Sequence, residues 1–231
     1  MKKIFLGLLV LVCTLNAYSQ QQSFFMELGG SFRKTKSTSN MTFSENTVTK
    51  APKIVARLGY AVSAHSVLGL AYNWSNQKMT SQSSIVNDYQ RRYNQSEAKL
   101  VENTYGLFYR YYLMPLGEKR WNVFADINPG YFRQQQDTKA ISMSTDVNGE
   151  VMARSETNST VKWTGLDMDL GTGISYRLTH GLSAQLPLRS IANVKYVKNS
   201  WSAASENKGD TFFELFDQPL SNTYLSMTYQ F

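Results

Sequence analysis

The chain has 231 residues, 42% of them hydrophobic and 18% charged, with 24 Lys+Arg against 17 Asp+Glu for a net charge of +7. Its mean hydropathy is below zero. Beyond the N-terminus no run approaches the roughly 18 to 20 apolar residues of a spanning helix, which excludes a helical membrane protein. Aromatics at 13% with ordinary glycine and proline exclude a largely disordered chain. A folded β protein remains, soluble or membrane-embedded.

The first element is an export signal. Met1-Lys2-Lys3 gives a positive start, Ile4 to Leu15 an apolar run, and Ala17-Tyr18-Ser19 a small-x-small site, so cleavage is expected after Ser19. Residues 1–19 then form the signal and 20–231 one domain. A lipoprotein reading of Cys13 fails because Val12 is bulkier than the small residue such a site carries before its cysteine. Processing removes Lys2, Lys3 and Cys13, which lowers the charge from +7 to +5 and leaves no cysteine. Without disulfides, the domain has to be held by a full core or by a bilayer.

Eight segments follow in which apolar residues recur at every second position, the period of a strand with two unlike faces. In order they run Phe24 to Phe32, Ile54 to Val62, Leu68 to Trp74, Tyr105 to Leu113, Val123 to Tyr131, Leu166 to Leu178, Leu182 to Leu188, and Thr223 to Phe231. The sixth is the clearest. Leu166, Met168, Leu170, Thr172, Ile174, Tyr176 and Leu178 stand on one face, and Asp167, Asp169, Gly171, Gly173, Ser175 and Arg177 on the other.

A soluble sandwich or a lipocalin-like barrel also alternates, with its apolar face inward. Three features favour the membrane. Connections alternate between long (about 34–52, 75–99, 133–161 and 194–221) and short (around Ser63–Ser66, Met114–Arg120 and Thr179–Gly181), the pattern of long outer loops and short periplasmic turns. The minority face carries glycines, small residues and the charges Glu27, Arg57, Arg110, Asp126, Asp167, Asp169, Arg177 and Arg189, which suits the cramped lumen of eight strands. Buried there, the charges have to pair. Aromatics gather at both ends: Trp74, Tyr131 and Trp163 towards the long loops, and Tyr60, Tyr111, Trp121, Tyr176, Tyr229 and Phe231 towards the short turns. The expected fold is all-β, an eight-stranded antiparallel up-and-down transmembrane β-barrel. Met41–Lys50 and Val151–Val161 are candidate extra strands or hairpin extensions above the membrane.

With these patterns, the chain resembles the small outer-membrane β-barrel proteins of Gram-negative bacteria, the OmpA/OmpX-like group, over about residues 22–231. The most specific likeness is Tyr224-Leu225-Ser226-Met227-Thr228-Tyr229-Gln230-Phe231, which is similar to that group's terminal strand. The resemblance implies a bacterial outer-membrane location and recognition of Phe231 by the barrel-assembly machinery. It implies no single activity, because the group includes adhesins, lipid-modifying enzymes and proteins without an assigned role.

Candidate chemistry is sparse. His65 and His180 both fall in short turns, a membrane thickness away from an outer-leaflet lipid substrate, and no serine lies in a G-x-S-x-G motif. Asp167 and Asp169 share a face about 7 Å apart but lack the loop ligands of a calcium motif, and a charge network with Arg177, Arg110 or Arg189 accounts for them. No catalytic, cofactor-binding or metal-ligating residue is therefore assigned. Eight strands leave no open pore once side chains fill the lumen.

Basic residues at the loop roots, namely Arg33, Lys34, Lys36, Lys50, Lys53, Lys78, Lys99, Arg133, Lys162, Lys195 and Lys198, are candidates to pair with lipopolysaccharide phosphates. They are too dispersed for nucleic acid. Phe212-Phe213-Glu214-Leu215-Phe216 is an apolar patch that either caps the mouth or meets an extracellular partner. The expected function is a non-enzymatic outer-membrane protein acting structurally or through its surface loops, in adhesion or envelope integrity. The alternatives are a lipid-A-modifying enzyme and a soluble periplasmic calyx that binds an apolar ligand.

Overall fold

The computed structural model of the protein describes residues 24–40, 44–86, 90–116, 118–146, 150–199, 209–215 and 223–230. The expectations for the signal at 1–19, for Phe216 and for Phe231 lie outside these residues. Among the described residues nine strands run in chain order: β1 Phe24–Asn40, β2 Ser44–Ser63, β3 Ser66–Val86, β4 Gln90–Tyr112, β5 Trp121–Asp146, β6 Val151–Arg177, β7 Leu182–Asn199, β8 Asp210–Leu215 and β9 Leu225–Gln230. Neighbours from β1 to β7 pair antiparallel, and β9 lies between β7 and β1. These pairings close a ring of eight strands made of β1 to β7 and β9.

The eighth place in the ring is shared. β9 pairs with Leu182–Gln185 of β7, and β8 pairs with Ala192–Val197 farther along the same strand. Phe212, Phe213 and Leu215 therefore belong to a hydrogen-bonded strand and not to a loop folded over the mouth, although Phe213 stays 62% exposed.

The long loops expected from sequence are mostly strand. β5 and β6 have 26 and 27 residues and pair from Trp121↔Tyr176 out to Thr145↔Val151. β3 and β4 likewise pair from Ser66↔Tyr111 to Val86↔Arg91. The described part of the first candidate segment, Ser44–Lys50, pairs with β1, and Val151–Val161 pairs with β5, so both are hairpin extensions, while residues 41–43 lie outside the described residues. The physical reason lies in composition: Ser, Thr, Asn and Gln satisfy both water and a ladder, so the ladder continues where neither face needs to be apolar.

Within the ring the two faces separate as the alternation indicates. Leu166 (60% exposed), Met168, Leu28, Leu58, Leu70 and Leu107 point outward, while Glu27, Arg57, Arg110, Asp126, Ser175 and Gln185 are buried. The interior also holds rings that the alternation did not bring out, Phe25, Phe108, Tyr112, Phe124 and Phe132, beside Tyr224, whose place opposite the apolar face of its strand agrees with the alternation. Phe124 sits directly opposite Gly173 and Phe132 opposite Gly165, and in each case a Cβ on the glycine would collide with the ring. Phe108 likewise faces Gly69 across β3 and β4, and its ring tip would lie 2.8 Å from a Cβ at Gly59. The glycines are gaps into which aromatic side chains of the neighbouring strands fold.

Gly173→Leu should therefore destabilise the fold by about 1 to 3 kcal/mol through overpacking against Phe124. Urea unfolding of the refolded protein in detergent measures this, and a parallel Gly173→Leu/Phe124→Ala variant should recover part of the loss.

Candidate functional site: a charged plug between two cavities

Strand register sets two ion pairs face to face across the ring. Glu27 of β1 is opposite Arg57 of β2, and Arg110 of β4 is opposite Asp126 of β5. All four side chains point inward and meet near the axis. Arg110 grips Asp126 with two bonds, Nε to Oδ1 at 2.6 Å and Nη2 to Oδ2 at 2.7 Å. It also reaches Glu27 Oε2 at 3.1 Å. Arg57 Nη1 lies 2.8 Å from Asp126 and 3.3 Å from Glu27. Each cation thus touches both anions, and the quartet is neutral.

Neighbouring polar groups extend it. Arg110 Nη1 donates to the Gln185 side-chain oxygen, whose amide donates to Tyr112 Oη at 3.0 Å and Thr228 Oγ1 at 3.2 Å. Tyr224 Oη donates to Glu27 Oε1 at 3.3 Å. Aromatic faces pack around the guanidiniums, with Arg110 Cζ 3.9 Å from the Phe124 centroid and Arg57 Cζ 5.3 Å from that of Phe108. Arg110 is 0% exposed. A buried bidentate network with this many partners compensates its desolvation, and removal of one member leaves the others stranded.

The network divides the interior. A cavity of about 400 Å³ opens on the long-hairpin side, with Arg57 and Asp126 in its wall, and one of about 200 Å³ opens on the short-turn side, with Tyr112, Gln185 and Thr228 in its wall. The outer cavity mixes Arg33, Lys53 and Lys195 with Glu102, Asp167, Asp169 and Glu214. In it Lys195 Nζ lies 3.1 Å from Glu102 Oε2, and Asn193 Nδ2 donates to Asp167 Oδ1 at 2.7 Å.

This corrects the partners expected for the aspartates. Arg110 belongs to Asp126 and Glu27, and Arg177 borders the opposite cavity, while Arg189 has no described side-chain placement. Register decides it, because Asp167 is opposite Lys195 and Asp169 opposite Asn193. No group of three His, Cys, Asp or Glu that could hold a metal occurs among the described residues.

The remaining candidates divide by face. Arg33, Lys53 and Lys195 line the outer cavity. Lys34, Lys36, Lys50, Lys78, Lys99, Arg133, Lys162 and Lys198 alternate with cavity-lining positions and face outward, so the basic ring is two groups. Trp163 shares parity with Asp167 and faces the interior, whereas Trp74, directly opposite Ile54, is on the outward face and half-buried at the rim of the outer cavity. The outward aromatics at this level are Trp74 and Tyr131, as expected, joined by Tyr72 and Tyr105; Tyr72, Tyr105 and Tyr131 stand directly opposite one another on β3, β4 and β5. At the short-turn end the expected belt is present, with Phe24 edge-on to Tyr60 and Trp121 packed on Tyr176 at 4.5 Å. His65 stacks on Tyr111, and its Nδ1 lies 3.0 Å from the Tyr112 carbonyl, while His180 is exposed in the β6–β7 turn.

No family model and no curated protein matches the chain. Among solved structures, similarity is found to the N-terminal β-barrel domain of Pseudomonas aeruginosa OprF, with 12% identity, a TM-score of 0.37, and coverage of 92% of this chain and 98% of that one. The translocator domain of the autotransporter NalP from Neisseria meningitidis is 10% identical with a TM-score of 0.34, covering 100% of this chain and 98% of that one. Neisserial surface protein A is 12% identical with a TM-score of 0.30, covering 92% and 100% respectively.

Two outcomes follow from these charges. Arg110→Met should cost about 3 to 5 kcal/mol, because Arg57 alone is left to balance two buried carboxylates, whereas Arg110→Met with Asp126→Leu should cost less than the sum of the two single changes. Equilibrium unfolding of the three variants measures that coupling. On the β5–β6 extension, Asp137 is held below its ordinary carboxyl value by bonds from Thr160 and Gln135, and Glu156 is held low by Lys139 at 2.8 Å. A lowered folded-state value contributes stability above the unfolded value that is lost as pH falls through the folded one. Amide protection factors, corrected for the intrinsic exchange rate at each pH, should therefore fall across this hairpin below about pH 4, while those in the ring stay unchanged.

Proposed function

We propose that the protein is an integral bacterial outer-membrane β-barrel of eight strands, plugged at mid-depth, that acts through its outer surface and not as an enzyme. The observation that carries this is the inversion of the strands: a continuous exposed band of Leu, Met, Ile, Tyr and Phe surrounds a buried charged interior. In water such a band is far larger than the few hundred Å² a monomer tolerates. From Leu166 to Leu178, at about 3.3 Å per residue and a tilt of about 40°, it spans about 30 Å, the thickness of a hydrocarbon core. The ring removes the strand edges that lipid would leave unsatisfied.

The soluble calyx is disfavoured, because it needs Leu166, Met168 and their neighbours to point inward, and they point out. The lipid-modifying enzyme is disfavoured by the histidines, both at the short-turn end. In this reading residues 1–19 direct export, the short turns face the periplasm, and the terminal strand with Phe231 is what the assembly machinery reads. The β3–β4 and β5–β6 hairpins project outward as rigid strand pairs. They offer a polar surface rich in Ser, Thr and Gln to the outside, which suits adhesion or envelope integrity.

Expressed with its own signal, the protein should co-sediment with outer membranes, resist a urea wash and migrate faster on unboiled than on boiled gels. Recovery in the periplasmic extract would contradict the reading. Leu70→Arg on the lipid face should cost about 2 to 4 kcal/mol in bilayer-embedded protein, measured by urea unfolding in vesicles.

A further inference from the structure

Four lysines stand directly opposite one another on four consecutive strands. Lys34 of β1 is paired with Lys50 of β2, Lys50 with Lys78 of β3, and Lys78 with Lys99 of β4. Directly opposed residues share a face, and all four are exposed on the outward one. Like charges set opposite each other are destabilising in an isolated sheet. Lys78 reaches Glu97 at 2.6 Å, and Asp137 opposite Lys99 ends the row, while the position opposite both Lys34 and Lys78 is Lys50.

The row lies two to four residues beyond the outward apolar residues Phe32, Ile54, Trp74 and Val101 of these strands. Farther round, the outward cations are interrupted: Arg133 is opposite Asn103 and Thr164, Lys162 opposite Gln135, Lys198 opposite Thr164, and Lys139 is bonded to Glu156 at 2.8 Å.

We propose that the Lys34–Lys50–Lys78–Lys99 row is a binding site for the headgroup of an outer-leaflet glycolipid that carries at least two phosphates. The inference rests on the membrane-barrel reading, which places this row at headgroup height. Three interstrand spacings of about 4.8 Å give a cationic track about 15 Å long, enough for several phosphates and long for one. Ammonium groups bind phosphate as point charges, and their mutual repulsion turns into binding energy once anions lie between them. The exposed Phe32 and Ile54 just below give acyl chains an apolar surface, which selects a lipid over a soluble anion. The site is one-sided, on β1 to β4, so it holds one lipid in a fixed position and does not form a uniform collar.

The test uses the full processed chain refolded in detergent, with native mass spectrometry of bound lipid. The probes are bisphosphorylated lipid A, monophosphorylated lipid A, phosphatidylglycerol and inorganic pyrophosphate. The wild type should retain bisphosphorylated lipid A on the order of ten-fold better than the monophosphorylated form. K34Q/K50Q/K78Q/K99Q should lose that preference, and R133Q/K139Q/K162Q/K198Q should keep it. Equal loss in both quadruple variants, retention in the first, or pyrophosphate binding as tight as lipid A would each overturn the proposal. Gel mobility of unboiled samples separates the two levels: normal mobility with no lipid preference defeats only the lysine row, whereas a wild type that does not fold into membranes defeats the barrel reading beneath it.

Discussion

Hydrocarbon offers no hydrogen bonds, so every backbone group within the apolar band needs a partner in a neighbouring strand. The whole arrangement depends on a six-residue strand that supplies the last of those partners. β9 pairs with Phe25 to Gly30 on one side and Leu182 to Gln185 on the other. Without it, β1 and β7 would present open edges along the band, where unpaired groups are most costly. The closure is confined to the short-turn half of the ring, and beside the outer half of β7 the partner is β8.

Closure also creates the interior. Eight strands leave a lumen that side chains fill, and what fills it here is a neutral quartet of two arginines and two carboxylates wedged among phenylalanines. The same backbone spacing that puts Glu27 beside Arg57 and Arg110 beside Asp126 puts Gly165 and Gly173 beneath Phe132 and Phe124. Charge neutralisation and ring packing are therefore two results of one register, and a slip of one residue would turn both to the outward face. Beyond the apolar band the constraint relaxes, and polar residues continue the ladders as hairpins that need neither an apolar face nor a plug.

Much of this was legible in the sequence, for a reason that also sets the limit. Alternation is visible only where the two faces differ chemically. Leu166 to Leu178 differs strongly between its faces, and its orientation is as expected. Thr138 to Asp146 and Val151 to Thr160 carry few apolar residues and no lasting difference between faces, so the same strand geometry leaves little trace, the first reading as loop and the second only as a candidate strand or hairpin extension. Phe108, Phe124 and Phe132 were hidden because hydrophobicity alone cannot tell a lumen-filling ring from a lipid-facing one, and Trp163 was set on the wrong face for the same reason. Register was not legible at all, since it depends on where strands meet. The partner of Arg110 and the alignment of Lys34 with Lys50, Lys78 and Lys99 are both register facts, and both appear only once the strands are set side by side.

The most direct test of the account is the environment of alternate residues along β6. The sequence has one cysteine, Cys13, within the expected export signal, so in a chain begun at Gln20 single cysteines can be placed at residues 166 to 170, spin-labelled, and measured in vesicles for access to oxygen and to a water-soluble nickel chelate. Labels at Leu166, Met168 and Leu170 should be accessible to oxygen and shielded from nickel, with Asp167 and Asp169 showing the reverse or shielding from both. Oxygen access at the aspartate positions with nickel access at the leucines, or no alternation along the strand, would contradict the account.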